Sequence, residues 1–191
     1  MKELENVIIY ADAQKCLGCH SCELACAVAH GGTGGLVSAV INKQPLHSRT
    51  KVVLADGVVM PMQCRQCDNA PCAMVCPTGA CRQQDGKVLI EEKNCVGCKL
   101  CIMVCPFGAI SVRRDGIKDD ETSTNQGVAL KCDLCTSWCA DNNQQQTACV
   151  QACPTKAIRL VNMGDYRKAL IQARAKELAL SHKHMNLTLR K

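Results

Sequence analysis

Aromatic side chains are nearly absent: Phe107, Tyr10, Tyr166 and Trp138 are the whole set, 2% of 191 residues. A domain of this length ordinarily fills its core with several rings, so this core has to be built from something else. Long apolar runs are missing as well. No run of about eighteen apolar residues occurs anywhere, so no membrane-spanning helix is expected. Met1 to Tyr10 starts charged and passes into Val7-Ile8-Ile9, without the apolar stretch and small-residue cleavage site of an export signal. The expected location is the cytoplasm. Neither a GxGxxG turn nor a P-loop is present, which leaves flavin, nicotinamide and nucleotide sites without support.

Cysteine is what the chain has in abundance. It supplies eighteen of the residues counted in the 47% hydrophobic fraction. Cysteine-rich secreted domains of disulfide type are usually shorter and carry export signals. If the thiols bind inorganic clusters, those clusters become the core, and metal binding becomes folding energy. The formal charge of +6 treats every cysteine as neutral. A [4Fe–4S] cluster with four thiolates carries about −2, so four of them bring the loaded protein to about −2. The basic excess then belongs around buried anions and not to nucleic acid, for which there are almost no rings to stack bases.

The cysteines fall into four motifs. The first is Cys16-x2-Cys19-x2-Cys22-x3-Cys26, and the second Cys64-x2-Cys67-x4-Cys72-x3-Cys76-Pro77. The third is Cys95-x2-Cys98-x2-Cys101-x3-Cys105-Pro106; the fourth, looser, is Cys132-x2-Cys135 and then Cys149-x3-Cys153-Pro154. Flanks repeat too: Cys76-Pro77-Thr78-Gly79-Ala80-Cys81, Cys105-Pro106-Phe107-Gly108-Ala109-Ile110 and Cys153-Pro154-Thr155-Lys156-Ala157-Ile158 match, as do Lys15-Cys16-Leu17-Gly18-Cys19 and Asn94-Cys95-Val96-Gly97-Cys98. This is internal duplication.

The spacing suits a cubane. Two-residue gaps let a turning loop present three thiolates to one cluster, with Gly18 and Gly97 freeing the tight bend of side chains. The x3 step places the third and fourth cysteines on one short helical turn, and in two-cluster ferredoxins the fourth ligates the other cluster. The following proline ends that helix. Motif one has Ala27 there instead, so its helix is expected to run through His30 and end at Gly31-Gly32. Zinc usually takes its four ligands as two separated pairs, and three cysteines this close pair poorly as disulfides.

Two cysteines are surplus. Cys81 stands where Ile110 and Ile158 stand in the repeat, and reads as a small buried hydrophobe. Either Cys139 or Cys149 could complete motif four; the ending Cys149-x3-Cys153-Pro154 repeats the others, and Cys149 is preferred. His20, His30, His47, His182 and His184 show no ligand spacing, which points to solvated or core roles, and Trp138 reads as packing beside motif four. Asp85-Gly86, Asp115-Gly116 and Ala55-Asp56-Gly57 (between Val52–Leu54 and Val58–Met60) predict hairpin turns, and Asp119–Gly127 a polar loop. From Asp165, a good N-cap, to about Ser181 the sequence turns helical, with Tyr166, Ala169, Leu170 and Ala173 on one face. Ile171, Ala175 and Leu178 widen that arc. The helix either packs back on its own domain or docks a partner subunit or another copy of the chain.

At these residues the chain resembles the four-cluster ferredoxin-like electron-transfer subunits of bacterial and archaeal redox complexes, over about residues 5 to 160. Lys15-Cys16-Leu17-Gly18-Cys19-His20-Ser21-Cys22-Glu23-Leu24-Ala25-Cys26-Ala27-Val28-Ala29-His30 looks especially like the iron–sulfur subunit of CO dehydrogenase. Gln63-Cys64-Arg65-Gln66-Cys67-Asp68-Asn69-Ala70-Pro71-Cys72 and Lys131-Cys132-Asp133-Leu134-Cys135 look like the family generally, including the small subunits of formate hydrogenlyase and hydrogen-dependent CO2 reductase.

The resemblance implies an α+β fold: two bacterial-ferredoxin-like units of pseudo-twofold symmetry, short helices and hairpins around cubanes, over residues 1–160, and a C-terminal helical extension over 161–191. It implies motif pairs one with four and two with three. One cluster would take Cys16, Cys19, Cys22 and Cys153, and its neighbour Cys132, Cys135, Cys149 and Cys26. A third would take Cys64, Cys67, Cys72 and Cys105, and the last Cys95, Cys98, Cys101 and Cys76. The gap from Cys135 to Cys149 is slightly longer than usual in the family, and the membrane-anchoring C-terminal helix of exported relatives is missing. The implied function is a non-catalytic relay of electrons between a catalytic partner (formate dehydrogenase, CO dehydrogenase or hydrogenase type) and a second redox partner. A free, diffusing polyferredoxin serving several oxidoreductases is the alternative.

Overall fold

The computed structural model describes residues 6–32, 35–114 and 127–188. Asp115-Gly116 and all but the last residue of the polar loop lie outside them. Among the described residues, short helices alternate with four separate two-stranded antiparallel sheets, an α+β arrangement.

The longest sequence separation in the sheets joins the two ends of the cysteine-bearing part. Strand β1 (Val7–Ala11) pairs with β8 (Ile158–Asn162), Val7 opposite Asn162 and Ala11 opposite Ile158. Alternation turns Val7 and Ile9 inward. The other three sheets are β2 (Lys51–Ala55) with β3 (Val58–Met62), β4 (Cys81–Gln84) with β5 (Lys87–Ile90), and β6 (Ser111–Arg113) with β7 (Val128–Leu130). The first two close at Asp56-Gly57 and Asp85-Gly86, where both residues of each turn have positive φ, the two-residue hairpin turn that Asp-Gly favours. The partner of β6 is β7, so the return strand after motif three lies beyond the polar loop.

Helix α1 (Ser21–His30) carries Cys22 and Cys26 and ends as expected: the Gly31 N–H donates to the Val28 carbonyl at 3.2 Å, and Gly32 takes a φ of 89°. It packs against α6 (Ala148–Ala152), and α3 (Pro71–Met74) packs against α4 (Leu100–Val104). Two further helices, α2 (Gly35–Ile41) and α5 (Thr136–Asp141), fill the insertion after motif one and the gap inside motif four. The final helix, α7, covers Met163–Thr188. Its N-cap is Asn162, not Asp165: the Asn162 Oδ1 accepts from the N–H groups of Gly164 at 2.9 Å and Asp165 at 3.3 Å, which puts Asp165 in the first turn, where a carboxylate suits the helix dipole.

The core is largely thiol. One cluster gathers Ile9, Leu134 and Ile158 around Cys22, Cys64, Cys132 and Cys149; a second gathers Ala70, Val88, Ile110 and Ala129 around Cys72 and Cys81. No single helix among the described residues is long and apolar enough to cross a membrane.

Candidate iron–sulfur centres

All four motifs share one backbone feature that the sequence shows at only two. The residue before the second cysteine is left-handed each time: Gly18 at 65°, Gln66 at 50°, Gly97 at 66° and Leu134 at 60°. For Gln66 and Leu134 that conformation costs on the order of 1 kcal/mol, so the loop geometry is held against local preference. At Gly18 space also matters, because a Cβ there would stand 3.1 Å from Val59 Cγ1. The Cys-Pro exits repeat as well. Gly79, Gly108 and Lys156 all have positive φ, and each donates its N–H to the carbonyl of Cys76, Cys105 or Cys153 at 3.3 Å. Proline stops the helix, and this turn feeds the chain into the next strand.

The result gathers the cysteines in fours. Cys16, Cys19, Cys22 and Cys153 line one cavity. Cys64, Cys67, Cys72 and Cys105 line another. A third is lined by Cys76, Cys95, Cys98 and Cys101, with the buried Cys81 in its wall. The remaining four, Cys26, Cys132, Cys135 and Cys149, are all buried. Burial raises the proton affinity of Cys132 and Cys135, and Cys149 and Cys26 stand near enough to both to raise it further. Cys149 itself is pushed up to about 11, chiefly by burial. Cys19 and Cys98 are exposed.

Backbone amides aim at the sulfurs. N–H groups of Arg49, Cys81, Ala129 and Gln66 donate to the Sγ of Cys26 (3.2 Å), Cys76 (3.3 Å), Cys95 (3.4 Å) and Cys64 (3.5 Å). Four thiols per set with N–H donors on the sulfurs is the donor arrangement of [4Fe–4S] ligation, and such hydrogen bonds tune the cluster. Burial also pushes the Cys22 thiol to about 12 and Cys101 to about 11, so iron binding has to displace protons there.

The surplus thiols are placed differently. Cys81 is buried, as are Ile110 and Ile158 at the equivalent positions. Its hydrogen bond to Cys72 holds its own proton on, and the same bond favours the thiolate at Cys72. Cys139, on α5, points its Sγ at the Gln146 carbonyl, 3.5 Å away, and packs in a buried cluster with Cys135, Ala148 and Trp138.

A charged network around Cys26 is the part that sequence reasoning missed. The His30 Nδ1 lies 2.8 Å from the Cys26 carbonyl and its Nε2 3.0 Å from Asp133 Oδ1. Both partners only accept, so both ring nitrogens carry hydrogen. Burial opposes that charge, yet the bonds to Asp133 and Cys26 raise His30 to about 9. Asp133 is held well below the usual carboxylate range: burial works the other way, but His30 and Arg49 outweigh it. Arg49 Nη1 donates to Asp133 Oδ2 at 2.6 Å, and its Nη2 lies 3.6 Å from Glu92, which pairs with Arg113 at 2.7 Å. His30, Asp133 and Cys135 could together suggest a cation site, but the Arg49 guanidinium already fills that role at the carboxylate. The net ties motif one, motif four and the approach to motif three together. Its one local signal is the aspartate that follows Cys132 in Lys131-Cys132-Asp133.

Comparison with known proteins agrees with this donor chemistry. The family described as 4Fe-4S dicluster domain matches residues 55–163. An iron-sulfur protein of Rhodospirillum rubrum is 60% identical over 183 residues, covering 96% of each chain. Formate hydrogenlyase subunit 2 of Escherichia coli is 34% identical over 208 aligned positions, covering 96% of this chain and 95% of that one. The electron transport protein HydN of Escherichia coli is 37% identical over 162, covering 82% and 89%. The four cysteine motifs fit four [4Fe–4S] clusters, and the chain belongs to the 4Fe-4S dicluster domain family of iron–sulfur electron-transport proteins.

Proposed function

We propose that this chain is the electron-transfer subunit of a redox complex, holding four [4Fe–4S] clusters on sixteen cysteines and contributing no catalytic group of its own. The observation that carries this reading is the grouping of the thiols in fours. The ligand sets are Cys16, Cys19, Cys22 and Cys153; Cys26, Cys132, Cys135 and Cys149; Cys64, Cys67, Cys72 and Cys105; and Cys76, Cys95, Cys98 and Cys101. They form two units of pseudo-twofold type within residues 1–160, motifs one and four joined by the α1–α6 and β1–β8 contacts, motifs two and three by α3–α4. When bound, a [4Fe–4S] cluster supplies one-electron chemistry. The protein's part is to fix the thiolates, keep water from the inner sets and aim N–H donors at sulfur.

Exposure orders the relay. The sets holding Cys19 and Cys98 reach the surface, and the set of Cys26, Cys132, Cys135 and Cys149 does not. Electrons therefore enter and leave at the first and third motifs and cross the interior between them. The partner is a catalytic subunit of formate dehydrogenase, CO dehydrogenase or hydrogenase type, and the compartment is the cytoplasm. Substrate chemistry belongs to that partner.

The extension over residues 161–191 is the docking element for that partner. Along α7 every described side chain from Met163 to Ser181 is exposed, including Tyr166, Leu170, Ile171 and Leu178; the helix touches β8 and sets Tyr166 6.4 Å from Tyr10, ring centre to ring centre. Truncation after Met163 tests this. The shortened chain is expected to keep its full iron content while the complex with the catalytic subunit is lost in anaerobic size-exclusion chromatography. Retention of the complex contradicts the docking role. A full-length chain that elutes alone from native extract contradicts the dedicated-subunit reading, and one that elutes as a dimer makes a second copy the occupant.

A further inference from the structure

Lys131 is a lysine in the wrong place for a lysine. It is 2% exposed, so its amine cannot reach water as lysines at a core edge normally do. Its Nζ donates to two backbone carbonyls, those of Val88 and Cys132, the latter at 2.8 Å. Among the described residues no carboxylate pairs with it. A buried ammonium costs several kcal/mol unless a negative charge stands close by, and carbonyl dipoles alone make up only part of that.

The surroundings identify the missing charge. Val88, fully buried, lines the cavity formed by Cys64, Cys67, Cys72 and Cys105, and Lys131 holds the Val88 carbonyl. Gln66, in the loop between Cys64 and Cys67, completes the frame: its Nε2 donates to the Cys132 carbonyl at 2.9 Å, and its Oε1 accepts the Val88 N–H at 2.8 Å. One lysine and one glutamine thus clamp the motif-two cysteine set to the first cysteine of motif four.

We propose that Lys131 is an internal counter-cation for the [4Fe–4S] cluster on Cys64, Cys67, Cys72 and Cys105, raising its reduction potential relative to an otherwise identical site. The inference rests on the ligand sets proposed above. Reduction adds one electron to an already anionic centre, and a fixed positive charge in a low-dielectric interior stabilises the added charge more than the oxidised state. Lys131 touches no reacting atom. It is a positioning and tuning residue, and it makes the motif-two site a preferred stop where the two halves meet.

Three variants separate charge from hydrogen bonding: Lys131→Gln keeps two N–H donors without charge, Lys131→Met removes both, and Lys131→Arg keeps the charge. The readouts are iron per chain and an anaerobic redox titration followed by electron paramagnetic resonance. For Gln and Met, the expected result is full iron and one couple shifted to lower potential by at least tenfold in its reduction equilibrium, about 59 mV for one electron, with Arg close to wild type. A Gln variant with full iron and unshifted couples overturns the proposal and leaves a hydrogen-bonding staple. Should Gln fail to load iron, Arg decides: loading with unshifted couples supports the counter-cation, and failure like that of Gln overturns it. A wild-type chain with fewer than four couples contradicts the ligand sets instead.

Discussion

Replacing Cys149 by serine is expected to remove about four iron atoms per chain, or convert one centre to a three-iron form, while Cys139→Ser keeps them all. The spacing alone permits either thiol to complete motif four. The preference for Cys149 rests on where the two thiols sit. Cys149 is buried in the same core as Cys22 and Cys132 and raises the proton affinity of Cys132 and Cys135. The Cys139 sulfur turns to the Gln146 carbonyl, a contact that a serine hydroxyl reproduces. Cys81→Ala behaves like Cys139→Ser, since Cys81 fills an isoleucine's place in the repeat. Iron analysis and the resonance spectrum of each reduced variant check the pair. Loss of iron in Cys139→Ser, with Cys149→Ser intact, inverts the assignment.

The second large effect is that of stripping the metal. Chelation under reducing, anaerobic conditions is expected to abolish the cooperative folding transition and the amide protection of β1 and β8. Each sheet here is a single two-stranded pair, which is marginal without a core to pack on. The core offers few substitutes: the largest fully buried side chains are Ile9, Leu134, Gln63, Val88, Thr147 and Pro61, with no aromatic ring among them. Structural zinc contributes about 10–16 kcal/mol to small metal-built folds, as much as a domain's whole usual net stability of about 5–15 kcal/mol. Circular dichroism and hydrogen exchange before and after chelation measure it. A chelated chain that melts as sharply as the loaded one contradicts a metal-built core.

What the sequence makes legible is local. The close cysteine spacings, the Cys-Pro exits and the Asp56-Gly57 and Asp85-Gly86 turns depend on residues a few positions apart, and the exits and these two turns recur in the structure at those residues. The end of α1 after His30 is of the same kind. Contacts across the chain leave no such trace. His30 meets Asp133 from 103 positions away and Arg49 meets it from 84, so a histidine without ligand spacing reads as a solvated or core residue when it is a hydrogen-bonded cation beside Cys26. Lys131 reads as one more basic residue until its burial is seen. Asp165 looks like the better cap by composition; Asn162 takes the role because β8 delivers its side chain to the open N–H groups of α7. Leu134 and Gln66 are left-handed without being glycine, an effect of the loop they share with Gly18 and Gly97 and not of their own preference.

Iron and acid-labile sulfide, counted per chain after anaerobic purification and full reconstitution, test the central claim most directly. Four cysteine sets predict about sixteen of each, with four iron and four sulfide for every set. A plateau near eight of each, or a preparation in which zinc replaces iron at stoichiometric levels, contradicts it.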